Sequence, residues 1–400
     1  MVAFEPPATA PAWSVGAAAR ERLEAATTQP WAAADAVDLG VGQPDATLLP
    51  LAVFERAFAA GPLDSSAPLQ YGHPNGDGAL RLELSRFLTG AYRLPVDPEE
   101  LLVTNGNSHG IDLACAVLAA PGDVVVVEEP TYFLALDIFR ERGLRVVGVP
   151  VDDEGMDLDA LERVLARERP AFVYTVPTFH NPTGATLSAE RRQRLVALAV
   201  AHGTTVVADE VYHLLAFDGA PPPLPLAAAV STGAVVSLGT WSKLLAPGLR
   251  LGWLHAAPAL LERFARSAVV ASGGGVAPFT GAVVRTILAH GWLDDHVGML
   301  RATLAERAAV LHDAVGAHLP EAELRRAAGG YFAWLRLPGE RDTGRWLDAA
   351  TRHRVGYRPG VLFSTCGGQR DRLRLSWAFY PVERLEPAVR ELAAIFRATP

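Results

Sequence analysis

Between residues 101 and 255, short apolar runs alternate with longer stretches of helical periodicity. Residues 101–104, 124–128, 145–149, 171–175, 205–208 and 235–238 read as strands, because each is too short for a buried helix and is rich in β-branched side chains. Residues 249–255 begin as another buried strand. The pieces between them at 111–120, 132–142 and 189–201 read as helices, and Pro121-Gly122 stops the first. Apolar strands separated by helices predict an α/β fold with a mostly parallel sheet covered on both faces.

The flanks have a different texture. Residues 51–60 and 77–89 read as helices, the second carrying Leu80, Leu84, Phe87 and Leu88 at helical spacing. Residues 1–45 are rich in proline and alanine and read as an arm with one short helix at 15–26. After the glycines at 273–275 comes a long helical stretch, 285–318, with a break near Gly291. A strand at 331–335, a helix at 343–352, a turn at 357–360, a strand at 373–378 and a closing helix at 382–396 follow. This second pattern predicts a smaller α+β domain. A chain of 400 residues exceeds the size at which one core stops growing. The expected division is an arm at 1–45, a large domain at 46–280 and a small domain at 281–400.

Composition narrows the function. The formal charge is -8 and no basic tract stands out, which argues against a nucleic-acid partner. Cys115 and Cys366 are the only cysteines and lie far apart, so the reading is two reduced thiols, with no disulfide framework and no metal site. The first residues lack a basic region followed by an apolar run, and apolar runs such as 124–127 are too short to cross a bilayer. A cytoplasmic protein with no membrane association is expected.

Lysine occurs once, at Lys243, in a chain whose other basic side chains are all arginine. An amine can lose its proton and attack a carbonyl to form a Schiff base, and a guanidinium cannot. Other polar residues gather at the predicted carboxyl ends of strands, where parallel α/β sheets bind ligands. The segment 104–110, Thr-Asn-Gly-Asn-Ser-His-Gly, joins a strand to a helix whose first amides suit an anion, although many such turns only cap a helix. Asn181-Pro182-Thr183-Gly184 has the composition of a β-turn. Asp209-Glu210 closes a strand with Tyr212 close behind, and Arg374 stands in an otherwise apolar strand, where it needs an anionic partner. An amine, an anion nest, an acid and the aromatic Tyr132 are what a ring cofactor bearing an aldehyde, a phosphate and a pyridine nitrogen requires.

These motifs together resemble the fold-type I, pyridoxal-phosphate-dependent aminotransferases of classes I and II, with an aspartate aminotransferase-like fold built on a seven-stranded-type large sheet. Within them the chain looks closest to the branch of 2-aminoadipate transaminases and of aminotransferase-like domains of bacterial regulators. The resemblance runs from about Val37 to the C-terminus and rests on YGHPNGDGALR (71–81), VTNGNSHG (103–110), HNPTG (180–184), VVADEVY (206–212), GTWSK with GLRLGW (239–253) and LRLSWA (373–378). It implies that Lys243 carries the cofactor as a Schiff base and shuttles the proton. It implies that Asp209 pairs with the pyridine nitrogen, Asn181 and Tyr212 bond the ring 3-oxygen, and Tyr132 stacks on the ring. Gly106, Asn107 and Ser108, with Thr240, Ser242 and Arg250, would hold the phosphate, and Tyr71 would reach the phosphate of a neighbouring subunit in a homodimer with shared active sites. Arg374 would bind the substrate α-carboxylate, with Gly42 in the segment closing over substrate. His109, His180 and Trp241 depart from the family's usual residues, and a packing role or a supporting hydrogen bond is expected for each.

The implied reaction is transfer of an amino group between an L-amino acid and a 2-oxo acid. The same parts also serve decarboxylation, elimination or oxidation at Cα, or a non-catalytic effector-binding role, and motifs do not distinguish these. Residues 271–279 contain no basic side chain, which favours neutral aliphatic or aromatic amino acids, unless Arg352, Arg354 or Arg358 turns inward.

Overall fold

The computed structural model describes residues 35–398 apart from 218, 220, 274 and 340. The helix expected at 15–26, with most of the 1–45 arm, lies outside the described residues. The chain enters through the two-residue strand β1 (Val37–Asp38) and helices α1 (Leu51–Ala59) and α2 (Gly78–Tyr92). Asp77 caps α2 by accepting the Leu80 amide, and Leu80, Leu84 and Leu88 fall on its buried face.

Seven strands then follow in sequence: β2 (Leu101–Thr104), β3 (Val124–Glu129), β4 (Arg145–Asp152), β5 (Gly155–Met156), β6 (Phe172–Thr175), β7 (Thr205–Asp209) and β8 (Val235–Thr240), with β9 (Gly252–Ala256) completing the sheet. Its order is β2-β9-β8-β7-β6-β3-β4-β5. The central pairs β4/β3/β6/β7/β8 are parallel, whereas β9 runs antiparallel to both β8 and β2. The eighth strand is only β5, folded back on β4 as a hairpin. Helices α3 (Asn107–Leu118), α4 (Phe133–Glu141), α5 (Leu158–Glu168) and α6 (Ala189–His202) connect the strands. Val125 and Val127 pack into one core cluster while Val124 and Val126 pack into another, so the sheet is covered on both faces.

The chain then passes through α7 (Pro258–Ala265), α8 (Ala268–Gly273), α9 (Pro278–Ala289) and the long α10 (Trp292–His318). The break expected near Gly291 falls between α9 and α10, where Gly291 adopts φ 66°. Strands β10 (Glu323–Leu324) and β11 (Phe332–Arg336), α11 (Leu347–Arg352), β12 (Val355–Gly356), β13 (Arg358–Pro359), β14 (Arg372–Ser376) and α12 (Val382–Ala398) complete the chain. A second, antiparallel sheet has the order β10-β11-β14-β13. β1 pairs in parallel with β12 as a separate two-stranded sheet, Val37 facing Val355, which ties the start of the described chain to its C-terminal part. Among the described residues no helix is long and apolar enough to cross a membrane.

Three local readings change. The turn expected at 357–360 contains β13, because Arg358 and Pro359 pair with Arg374 and Leu373. Helices α5, α7 and α8 were not anticipated. The strand expected from 249 starts later: Pro247-Gly248 starts a 3-10 turn that Arg250 ends with φ 47°, and β9 begins at Gly252.

Candidate active site

The sheet's topology decides where the polar residues meet. β3, β6, β7 and β8 are mutually parallel, and β2 shares their direction through the intervening antiparallel β9. Their carboxyl ends therefore lie along one edge. That edge carries Gly106 after β2, Tyr132 after β3, Asn181 after β6, Asp209 at the end of β7, and Thr240, Ser242 and Lys243 at and beyond the end of β8.

Asp209 is buried, and Tyr174 donates its hydroxyl hydrogen to Oδ2 over 2.7 Å. Among the described residues its other oxygen, Oδ1, is buried with no partner at hydrogen-bonding geometry. Burial pushes the carboxyl up to about 6, against the opposing pull of the Tyr174 hydrogen bond. Asn107 Oδ1 and Thr131 Oγ1 are likewise buried and unpartnered. Native proteins leave few such groups unsatisfied, so this cluster is shaped for a polar ligand.

Gly106 caps α3 with φ 78°, a conformation that favours glycine. A Cβ there would stand 2.8 Å from Arg250 Nη2, so the guanidinium closes directly over the loop. The amides of Asn107 and Ser108 open the helix and have no carbonyl within it to bond. Thr240 Oγ1 lies 3.0 Å from Ser242 Oγ and accepts the Ser242 amide over 3.2 Å. Two hydroxyls, free helix amides and a guanidinium form an anion cradle.

Lys243 is half-buried, and its Nζ donates to the Gly42 carbonyl over 2.8 Å. Enclosure by protein, with Arg374 and Arg250 acting the same way and Asp209 opposing them, lowers its pKa to about 8. The Tyr331 ring lies 5.4 Å from Nζ, and its hydroxyl donates to the Lys243 carbonyl over 3.3 Å. Tyr132 is pushed up to about 12, first by burial and then by Asp209, against Arg374 and Arg250. Tyr212 is buried 5.5 Å from the Tyr331 ring and 5.8 Å from the Phe332 ring.

Arg374 is 3% exposed. Its Nη1 donates to Asn181 Oδ1 and its Nη2 to the Gly40 carbonyl, each over 2.8 Å. The guanidinium lies 4.0 Å over the Phe332 ring and 5.0 Å over the Phe363 ring. Among the described residues no carboxylate is bonded to it and its Nε has no partner, and burial brings its pKa down to about 10. It is a desolvated cation waiting for an anion. A Cβ on Gly42 would press on Phe332 at 3.0 Å and come within 3.7 Å of Arg374 Nη2, so a side chain here would crowd the site.

The expected residues thus gather at one place, with one exception. Tyr71 is 82% exposed, and its amide donates to the side chain of the neighbouring Gln70. Trp241 packs against Trp253 and Phe87, His109 accepts the Asn105 amide through Nδ1, and His180 Nδ1 lies 2.8 Å from Thr183 Oγ1. Sequence reasoning missed Tyr174, Tyr331 and the Gly40 carbonyl. Tyr174 had a signal: a tyrosine in a fully buried parallel strand needs a partner for its hydroxyl.

The donor set fits pyridoxal phosphate: an amine at Lys243, an anion cradle at Gly106, and an acid at Asp209 whose Oδ1 is free to accept a ring N–H that would otherwise be buried unbonded. The family profile of aminotransferase class I and II matches residues 34–392. Aromatic-amino-acid aminotransferase 1 of Thermococcus litoralis is 33% identical over 81% of this chain and 79% of its own. A 2-aminoadipate transaminase of Thermus thermophilus is 34% identical over 81% of this chain and 80% of its own. A crystal structure of α-aminoadipate aminotransferase from Thermus thermophilus, complexed with N-(5'-phosphopyridoxyl)-L-leucine, superposes with a TM-score of 0.83 at 31% identity, covering 91% of this chain and 92% of that one. With the family matched over nearly the whole chain and the cofactor's chemical requirements met by its residues, the chain belongs to the class I and II aminotransferases, enzymes that work with pyridoxal phosphate.

Proposed function

We propose that the chain transfers an amino group from a neutral aliphatic or aromatic L-amino acid to a 2-oxo acid, with Lys243 as the proton carrier. The observation that carries this reading is the placement of Lys243 Nζ, an amine with its pKa drawn down to about 8, close to an unpaired buried guanidinium and an unpaired buried carboxyl oxygen. Pyridoxal phosphate, when bound, supplies an aldehyde that condenses with amines and a ring that draws electrons from Cα.

The protein's part follows from its own groups. Arg374 takes the α-carboxylate and fixes the orientation of Cα. Asn181 is oriented by its bond to Arg374 Nη1, so substrate binding and ring contacts share one frame. The Gly42 carbonyl holds Nζ in place, and Nζ then takes the proton from Cα. Asp209, supported by Tyr174, offers Oδ1 to the ring nitrogen. Gly106, Asn107, Ser108, Thr240, Ser242 and Arg250 form the phosphate cradle, Tyr212 and Asn181 face the ring 3-oxygen, and Tyr132 covers the ring.

We read a large domain at 46–280 and a small one at 281–400, with the site between them, a division that the presence of a parallel and a separate antiparallel sheet supports. The working unit is a homodimer. Leu51, Leu69 and Tyr71 are each more than two-thirds exposed on a short stretch of chain, a surface that suits a second copy. Sedimentation velocity at micromolar concentration checks this, and a stable monomer would contradict it.

A half-reaction tests the chemistry. Cofactor-loaded protein is mixed with single L-amino acids and no 2-oxo acid, and products are identified by mass. One 2-oxo acid and one pyridoxamine phosphate per site establish the reaction and name the donor. Carbon dioxide, ammonia or peroxide with unchanged cofactor would overturn it.

A further inference from the structure

Beyond Tyr212 the chain leaves the cofactor site and borders a separate cavity of about 340 Å³, a size that holds a small organic ligand. None of the residues assigned above to cofactor or substrate lines it. Its walls come from three places: Tyr92 and Arg93 at the end of α2, Arg301 on α10, and His213 with the chain that follows β7. Phe217, Pro222 and Pro223 are half-buried along one side. The proline run is anchored where it ends. Arg192 Nη1 donates to the Leu224 carbonyl over 3.2 Å, and the Leu226 and Ala227 amides donate to the buried Glu210 carboxylate.

Apart from Tyr92, the polar side chains around this cavity offer only donors. His213 is 6% exposed and stands edge-on to the Tyr92 ring at 5.5 Å. Arg192 Nη2 donates to Thr178 Oγ1 over 2.8 Å, which leaves the Thr178 hydrogen for His213 Nδ1, 3.2 Å away. Nδ1 therefore accepts, and the ring proton sits on Nε2. Burial, with Arg192 and Arg301 acting the same way, draws the imidazole down to about 3, so the ring is neutral. Nε2–H turns away from Thr178 and has no acceptor among the described residues. A donor on so buried a side chain is rarely left unanswered. Arg301 uses only its Nε, on the Leu214 carbonyl over 2.9 Å, and among the described residues neither it nor Arg93 meets a carboxylate.

Two guanidiniums and an imidazole N–H face one cavity, and its other wall is apolar. A neutral hydrocarbon would leave the donors unanswered, and a phosphate has no apolar part to lay on Phe217 and the prolines. A carboxylate with an apolar body meets both walls. We propose that this cavity is a second ligand site, separate from the catalytic one, for a small aryl or alkyl carboxylate. Its oxygens would take His213 Nε2–H and the Arg301 guanidinium, with Arg93 at the exposed rim, and its body would lie along Phe217 and Pro222-Pro223. Nothing in this depends on the transamination reading, because the site is defined by binding and uses none of the catalytic groups.

The test is calorimetry on cofactor-loaded Arg374→Gln protein, in which the catalytic carboxylate site is disabled, with phenylacetate, phenylacetamide and inorganic phosphate as probes. Phenylacetate should bind once per chain, and the neutral amide about tenfold or more weaker, the range of one charged hydrogen bond. Arg301→Met in that background should weaken phenylacetate by a similar factor of about ten. His213→Phe, which keeps the ring against Tyr92 but loses the donor, should cost about threefold to tenfold, the worth of a neutral bond. Arg93→Asn, a residue that suits the left-handed backbone there, should cost about threefold, as an exposed charge does. Melting temperatures establish that each variant is folded, and if His213→Phe is not, Arg301→Met decides. Absence of phenylacetate binding in the Arg374→Gln protein would overturn the proposal, as would binding that Arg301→Met leaves unchanged. Equal affinity for the amide, or phosphate held as tightly as phenylacetate, would overturn it too.

Discussion

The two sheets meet at the site with opposite habits. On the parallel sheet, Asp209 is gripped by Tyr174, the Gly106 loop is closed by Arg250, and the remaining lone pairs are buried and unpartnered. On the antiparallel sheet, Arg374 rests on a neutral amide and a backbone carbonyl, and Arg358 rests on a partly exposed carboxylate. The first set is fixed and keeps one ligand. On the second, Arg374 is satisfied only by contacts that an incoming carboxylate can replace. On the proposed roles, a resident cofactor needs the former and exchanging substrates need the latter, so the division of labour would follow the division of the fold.

The largest break in that comparison comes from removing the amine that joins the two halves. Lys243→Ala should lower turnover by at least about 10²–10⁴-fold, the usual worth of a general base, while cofactor still co-purifies through the Asp209 side. Steady-state assays and the cofactor absorbance after gel filtration read the two effects separately; full turnover in this variant would refute the role. On the substrate half, Arg374→Gln should reduce kcat/KM by roughly 10–150-fold, one charged hydrogen bond, and leave cofactor affinity nearly unchanged. If both quantities fall together, the halves are not independent.

The smallest effect sharpens the cofactor half. In the cofactor-free protein Asp209 holds its proton more tightly folded than unfolded, with a pKa raised from 3.8 to about 6. The folded state therefore binds more protons in that window, and stability falls as pH rises through it. Tyr174→Phe removes a bond that favours the charged form, so the fall should extend to higher pH, with a cost of about 1–3 kcal/mol at neutral pH. A pH series of melting temperatures for both proteins checks this, and coincident curves would remove Tyr174 from the account.

Much of the parallel half was legible because its polar residues interrupt apolar runs. Asp209 ends a buried strand, Lys243 is chemically unlike every other basic residue, and Gly106 sits where a strand gives way to a helix. The antiparallel half was less legible. Arg374 declared itself by being charged in an apolar strand, but its partners, Asn181 and Gly40, arrive from 193 and 334 residues away. Arg358 looked like part of a turn because β13 is two residues long, and only its register against β14 sets it opposite Arg374. Arg250 was misplaced for a local reason: its left-handed backbone is set by the Pro247-Gly248 turn, which strand periodicity does not report.

The solitary lysine also changes what the protein presents to aldehydes in general. Reactive carbonyl compounds ordinarily decorate surface lysines at random, and a cofactor with an aldehyde does the same when it is abundant. Here the outside of the molecule is arginine, and the only side-chain amine is the half-buried one bonded to Gly42. Hydride trapping of an imine on a side chain therefore marks a single position, so the mass of the trapped protein counts filled sites without a correction for the surface. Enzymatic cleavage after lysine would divide the chain once, leaving Asp209 on one fragment and Arg374 on the other.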